Sequence, residues 1–237
     1  MPVSIEEAAA QQLFLKAQTT WSARVTPRFE SFVLPCGVTF LDARCAPGTN
    51  VRFVVRLSDG RTYAETIPAA GAPAVTLVRG GYITGPAGAP LGFYRRWPQS
   101  DAPSHATPPP DLAEDPLRTI ATVTAVDFAY RIALAGEESI NGVKTAHLVL
   151  QPVRNPAAYP LRDLWIALDT DQVVRLTYEL PYKRSSASVT YDFAPAGVPP
   201  IWTIVRIAAS SGGDAVSEEL RDISFPRDEP DSYFTSP

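Results

Sequence analysis

Glu138-Ser139-Ile140-Asn141-Gly142-Val143-Lys144-Thr145-Ala146-His147-Leu148-Val149-Leu150-Gln151-Pro152 decides how this chain is read. Ile140-Asn141-Gly142-Val143 supplies a turn, because Asn-Gly tolerates the positive φ that a tight turn demands, and Lys144 to Gln151 returns as a strand. Upstream, Thr124, Val126, Phe128, Tyr130, Ile132 and Leu134 share one face of a long strand, opposite Asp127 and Arg131. Downstream, Pro152, Pro156 and Pro160 mark a connecting loop, and Leu161 to Leu168 is again a strand. Asp169-Thr170-Asp171 turns, and Val174, Leu176, Tyr178 and Leu180 line one face of the next strand, opposite Arg175, Thr177 and Glu179. Ala187, Val189, Tyr191 and Phe193 alternate with Ser186, Ser188, Thr190 and Asp192. Ile201 to Ala209, a turn at Gly212-Gly213-Asp214 and a last strand from Val216 to Phe225 complete the series.

Seven successive strands over 120–225 with short connections make an antiparallel meander, since parallel pairs need crossovers of about a dozen residues or more. One face of each strand is apolar and the other polar. A meander this long twists, so it curls around its apolar face into a full or incomplete β-barrel. The predicted fold class is mainly β, one domain over 1–237, with an N-terminal helix and a long proline-rich loop covering the barrel.

Working toward the N-terminus, Val51, Phe53, Val55 and Leu57 alternate with Arg52, Val54, Arg56 and Ser58. Asp59-Gly60 then predicts a type I′ hairpin turn, and residues 51–84 read as this hairpin plus one strand from Ala74 to Arg79. Ser4-Ile5-Glu6-Glu7 has capping-box spacing and opens a helix over 4–20, with Ile5, Ala9, Leu13, Ala17 and Trp21 on its apolar face. Between 85 and 116 the pattern fails and eight prolines gather, which reads as a long loop, either a surface excursion or a lid.

The 237 residues are 45% hydrophobic and 19% charged with a net charge of −4, the composition of a folded globular chain. The acidic balance argues against a sequence-independent grip on nucleic acid. No run approaches the roughly 18 apolar residues of a membrane-spanning helix, so any membrane association is peripheral. Residues 1–7 carry neither a basic n-region nor an apolar h-region, so the reading is a cytosolic protein or one whose signal peptide has been removed. Cys36 and Cys45 fit no zinc ribbon or CxxC motif; one disulfide across a hairpin suits an oxidising compartment and two buried thiols suit the cytosol.

Catalytic signatures are missing: GxSxG, HExxH, P-loop and EF-hand patterns do not occur. His147 reads as a solvated or hydrogen-bonded strand histidine with no acid or nucleophile placed nearby by sequence, and His105 as incidental in the proline loop. Asp169 with Asp171, and Asp228 with Glu229 and Asp231, read as turn aspartates before they read as calcium ligands. No metal, cofactor or catalytic residue is expected. The aromatics of the meander either fill an ordinary core or line a cavity too wide for its side chains, one that takes a lipid acyl chain. The candidate lining is Phe128, Tyr130, Ile132, Leu176, Tyr178, Tyr191, Phe193 and Trp202.

The stretch from Glu138 to Pro152, followed by Leu161-Arg162-Asp163-Leu164-Trp165-Ile166 and Val173-Val174-Arg175-Leu176, resembles the LolA-like superfamily. The opening helix with Gln11, Gln12, Leu13 and Phe14 is similar to that superfamily's first helix. The superfamily includes periplasmic carriers of outer-membrane lipoproteins and lipid-sensing regulators of the RseB type. The resemblance implies an incomplete barrel with helices closing a hydrophobic cavity, and a non-enzymatic role in lipid binding or lipoprotein transport in the periplasm or cell envelope. Its implied partners are acyl chains of lipids or lipoproteins, or an envelope protein. The alternative is an interaction or sensor module with a filled core and no small-molecule ligand.

Overall fold

The computed structural model describes residues 5–36, 48–81 apart from 69 and 71, 130–153, 160–182, 185–211 and 214–235. Helix α1 (Ile5–Ala23) comes first and ends three residues beyond where its pattern predicts. The expected apolar face is corrected. Ala10, Phe14, Ala17 and Trp21 are buried, whereas Ala9 is exposed and Leu13 only half-buried. Strict four-residue spacing drifts about 40° around the helix at each step, so it cannot hold one face over four turns, whereas offsets of four, three and four follow the true period. Ser4, half of the capping box, lies outside the described residues.

Strands β1 (Phe29–Pro35), β2 (Asn50–Arg56), β3 (Thr62–Ile67) and β4 (Thr76–Gly81) belong to a five-stranded sheet. Strands β5 (Tyr130–Ile140), β6 (Val143–Pro152), β7 (Leu161–Ala167), β8 (Val173–Tyr182), β9 (Ser185–Ala196), β10 (Ile201–Ser211) and β11 (Asp214–Glu219) form a seven-stranded sheet in unbroken chain order. Every pairing in both sheets is antiparallel. The protein is mainly β, an incomplete barrel whose two sheets do not close on themselves. Asn141 and Gly142 turn β5 into β6 with φ of 51° and 82°, the conformation that Asn-Gly favours.

Four expectations change. The last strand is not continuous from Val216 to Phe225: it breaks at buried Leu220, and β12 (Arg221–Ser224) crosses to pair with β1 at the edge of the other sheet, giving the order β12-β1-β2-β3-β4. The β2–β3 hairpin is present, but only Gly60 has positive φ and Arg56 N–H bonds to Arg61 O across four residues, so its turn is not type I′. Val174 does not share a face with Leu176; a register shift places Val173 in the main core and packs Val174 with Ile140 and Ala167 instead. Strand β1 was unanticipated, because a strand buried on both faces shows no alternation. The proline loop over 85–116, with His105, and the segment Thr124 to Phe128 lie outside the described residues.

One continuous core joins α1 to the inner faces of both sheets: Phe32, Val51, Phe53 and Leu77 from the smaller, Leu148, Leu164, Leu176, Tyr191 and Ile207 from the larger. A second, smaller core lies on the other face of the five-stranded sheet. There the C-terminal strap brings Tyr233 flat against Tyr63 (centroids 3.8 Å apart) and Phe234 against Phe29 (5.3 Å). Val54, expected to face solvent, is buried beneath this strap. An ion pair from Arg52 to Glu229 (2.9 Å) and a hydrogen bond donated by Arg61 Nη1 to the carbonyl of Phe234 (2.8 Å) fasten it.

Candidate functional site

The inner face of the larger sheet is built by register. Leu148, Leu164, Leu176, Tyr191 and Ile207 stand directly opposite one another from β6 to β10, and Tyr178 and Val189 form part of the next row. Cross-strand register therefore joins inward-facing residues of five strands into one apolar surface. Of the eight predicted lining residues, Tyr130, Ile132, Leu176, Tyr178, Tyr191 and Phe193 lie on this face and are buried. Trp202 is partly buried, packs at the edge of the core and donates its indole N–H to Val173 O at 2.8 Å. Phe128 lies outside the described residues. Tyr178 and Tyr191 meet edge to face with centroids 5.9 Å apart, the arrangement that ring quadrupoles favour.

Helix α1 joins this surface through its buried face. Trp21 meets the ring of Phe193 edge-on at 5.1 Å, and the Arg24 guanidinium lies 3.7 Å from the Trp21 ring centre. Between Phe14 and Trp21 the same helical face carries Gln18, which is 5% exposed and whose Nε2 has no hydrogen-bond partner. Leaving a buried amide unpaired costs about 1–3 kcal/mol. A helix that closes an apolar surface with such a group is held less tightly than an all-apolar one would be. Composition gave no sign of Gln18; true helical spacing from Phe14 and Trp21 would have found it.

At the C-terminal end of α1 a shallow cleft with about 20 Å³ of free space, room for about one water, lies between the linker Arg24–Pro27 and the β9–β10 hairpin. Its lining includes Phe193, Trp202 and Phe225 together with Glu30, which is 1% exposed and accepts a hydrogen bond from the Thr203 hydroxyl at 3.0 Å. Gly197, at φ +76°, lets Phe225 sit against the hairpin turn, since a Cβ there would lie 2.7 Å from its ring.

The outer face of the larger sheet is polar and also follows register. His147, Trp165, Arg175, Asp192 and Arg206 form one row across five strands. His147 stacks on Trp165 (4.2 Å), Nε2 lies 2.9 Å from Asp163 Oδ1, and Nδ1 lies 3.4 Å from Glu138 Oε1, which also accepts the Trp165 indole N–H. This corrects the expectation that no acid lies near His147: neighbouring strands deliver two. Arg175 holds both oxygens of the buried Asp192, the second at 3.0 Å, and Arg206 adds a third bond at 3.3 Å. Hydrogen bonding to Asp192 raises the guanidinium pKa of Arg175 further. Beside the row, bonds from Arg162 and Ser186 hold the Glu179 carboxyl below its ordinary value. These groups are consumed in pairing one strand to the next, and the row brings no hydroxyl or thiol nucleophile to His147. Among the described residues no group of three His, Cys, Asp or Glu is arranged to hold a metal ion.

Cys36, at the end of β1, is buried and disulfide-bonded; Cys45, the only other cysteine in the sequence, lies outside the described residues. Asp228 and Glu229 are engaged with Arg28 and Arg52. Among the described residues no helix is long and apolar enough to cross a membrane.

No protein-family profile matches the chain, and no curated protein is similar to it. Among solved structures it is similar to a DUF1329-family protein from Desulfovibrio piger (12% identity, 98% of each chain, TM-score 0.40). It is also similar to a LolA-superfamily protein from Nitrosomonas europaea (16% identity, 96% of this chain and 97% of that one, TM-score 0.38). A third is a putative outer-membrane lipoprotein-sorting protein domain from Vibrio parahaemolyticus (12% identity, 95% and 97%, TM-score 0.39).

Proposed function

We propose that this protein is a non-enzymatic binder of lipid or lipoprotein acyl chains in the bacterial cell envelope, with α1 as a movable plug on the inner face of the half-barrel. The observation that carries the reading is Gln18, whose buried amide nitrogen has no hydrogen-bond partner, on helix α1, which covers a largely apolar, register-built surface. Magnitudes favour exchange of helix for ligand. A chain of about fourteen methylenes leaving water gains roughly 11 kcal/mol at ~0.8 kcal/mol each. It takes the place of α1 on the sheet, so the sheet stays covered and the main cost is the exposed face of α1. Phe14 and Trp21 are its two large buried side chains; at about 1.5–3 kcal/mol each, with Ala10 and Ala17 adding less, that cost is roughly 4–8 kcal/mol. The surplus offsets part of the association entropy.

The second reading, a protein-interaction or sensor module, is favoured by the complete burial of Tyr130, Tyr191 and Phe193 in the closed state. Native mass spectrometry of protein purified without detergent, with displacement of a fluorescent fatty acid, separates the two. Co-purified lipid and saturable uptake are expected. A clean unliganded mass with no uptake overturns the proposal in favour of the filled-core module.

A further inference from the structure

Two valines are more exposed than any packing role requires. Val198 is 96% exposed and Val25 73%, the highest values of any large apolar side chain among the described residues. They belong to different elements at one end of the protein, Val198 to the tip of the β9–β10 hairpin and Val25 to the linker after α1. The shallow cleft brings these elements side by side, since Val25 and Pro27 line it together with Ile201 and Trp202. With the exposed Pro199 and Pro200 they make one apolar tip.

The hairpin suits hydrocarbon in its charge, its backbone and its bracing. No residue from 193 to 205 is charged, the run being bounded by Asp192 and Arg206. The strand pairing ends at Ala196 opposite Ile201, and of the turn residues 197–200 only Gly197 and Val198 carry an N–H, because the other two are prolines. A donor without water costs several kcal/mol in a bilayer, so a turn with two prolines enters it more cheaply than most. Phe225 braces the tip from beneath Gly197, and Trp202 already donates its indole N–H to Val173 O at 2.8 Å. Arg24 and Arg28 stand at the two ends of the linker. Arg28 reaches Asp228 only at 3.5 Å with the side chains 60% and 91% exposed, a weak ion pair that a lipid phosphate can replace. A protein interface uses about one hydrogen bond per 100–200 Å², and this tip has few groups to supply them. We infer that the β9–β10 tip and the 24–28 linker form a membrane-docking surface: Val198, Pro199, Pro200 and Val25 dip into the acyl layer of a phospholipid bilayer while Arg24 and Arg28 meet its phosphates. The chain's net charge of −4 does not draw it to anionic lipid as a whole, so insertion supplies the binding. The inference does not rest on the acyl-binding reading; it concerns where the protein sits, whatever it carries.

Co-sedimentation of the full chain with vesicles of phosphatidylethanolamine and a minor share of phosphatidylglycerol reads the partition. Wild type is expected to sediment with the vesicles and to keep most of its partition at about 1 M salt, where charges are screened beyond about 3 Å. Val198→Asp is expected to lower the partition by about ten- to hundredfold, the worth of burying a whole valine side chain, and Val25→Asp to lower it in the same direction. Val75→Asp places the same change at a valine 54% exposed beside β4 and is expected to leave the partition within about twofold. Cys36 is disulfide-bonded and Cys45 is the only other cysteine, so a nitrobenzoxadiazole label on Val198→Cys reports position 198 alone. Its emission is expected to move to the blue on vesicles and to be quenched by lipids spin-labelled on the acyl chain. No vesicle binding, binding that neither Val198→Asp nor Val25→Asp weakens, binding lost at high salt, or a label at 198 that stays in water would each overturn the inference. Uptake of a fluorescent fatty acid by Val198→Asp is expected to match wild type, so failure on vesicles leaves acyl binding standing, and failure of uptake leaves membrane docking standing.

Discussion

Replacing Gln18 with leucine puts a side chain of similar volume and no polar atoms on the buried face of α1. The closed state then loses an unpaired amide, so it gains about 1–3 kcal/mol. For a chain of this size each kcal/mol moves the unfolding midpoint by about 2–4 °C, so Tm is expected to rise by roughly 2–12 °C. If α1 must leave for a ligand to enter, the same free energy opposes binding, and affinity for a fluorescent fatty acid should fall about 5- to 150-fold. Leucine exposed in the open state pushes in the same direction. Differential scanning fluorimetry and fluorescence titration on one preparation read both quantities. A raised Tm with unchanged or tighter binding would falsify the plug, because it would mean that the ligand packs against residue 18 with the helix in place. A lowered Tm would refute the premise that the amide lacks a partner.

Phe234→Ala removes a fully buried ring stacked on Phe29 and should destabilise the protein by about 3–5 kcal/mol in urea unfolding; a loss below 1 kcal/mol would show that the C-terminal strap is dispensable. Asp192→Ala leaves Arg175 and Arg206 without their shared carboxylate and should cost about 3 kcal/mol, with the urea midpoint as readout and a neutral result contradicting the outer-face row as a structural pairing. Burial is the largest of the influences that raise the Tyr63 phenol above its ordinary value of 10.0, so its folded-state pKa exceeds the unfolded one. Its contribution is fully present below pH 10 and is lost as pH rises through the folded value; urea midpoints should fall in that window for wild type and fall less for Tyr63→Phe.

The seven-stranded sheet was legible because β9, and β8 from Leu176 onward, repeat a two-residue alternation and turn residues separate the strands, although register shifts interrupt the pattern in β7 and β10. The same signal is absent where burial is two-sided or missing. Strand β1 is buried along almost its whole length, so Phe32-Val33-Leu34 shows no period, while β5 from Ala133 to Ser139 is exposed at the sheet edge and its Gly136-Glu137-Glu138-Ser139 run carries no apolar pattern. The break at Leu220 depends on pairing with β1, nearly 190 residues earlier in the chain, which no local pattern encodes. Site residues divide the same way. The inner-face aromatics followed from alternation, whereas Asp163 reaches His147 only through the β6–β7 register, and Glu30 meets Thr203 only because two sheets approach across 173 positions. Charged residues on strands read as solvated, so the burial of Asp192 and Glu30 needed the third dimension.

The central claim is that α1 leaves its seat when an acyl chain arrives. A distance measurement between spin labels at exposed Lys16 on α1 and exposed Val149 on the outer side of β6, with and without saturating fatty acid, tests it most directly. A plug predicts a single short distance in the free protein and a longer, broader distribution in the complex. An unchanged distance at demonstrated saturation would contradict the account.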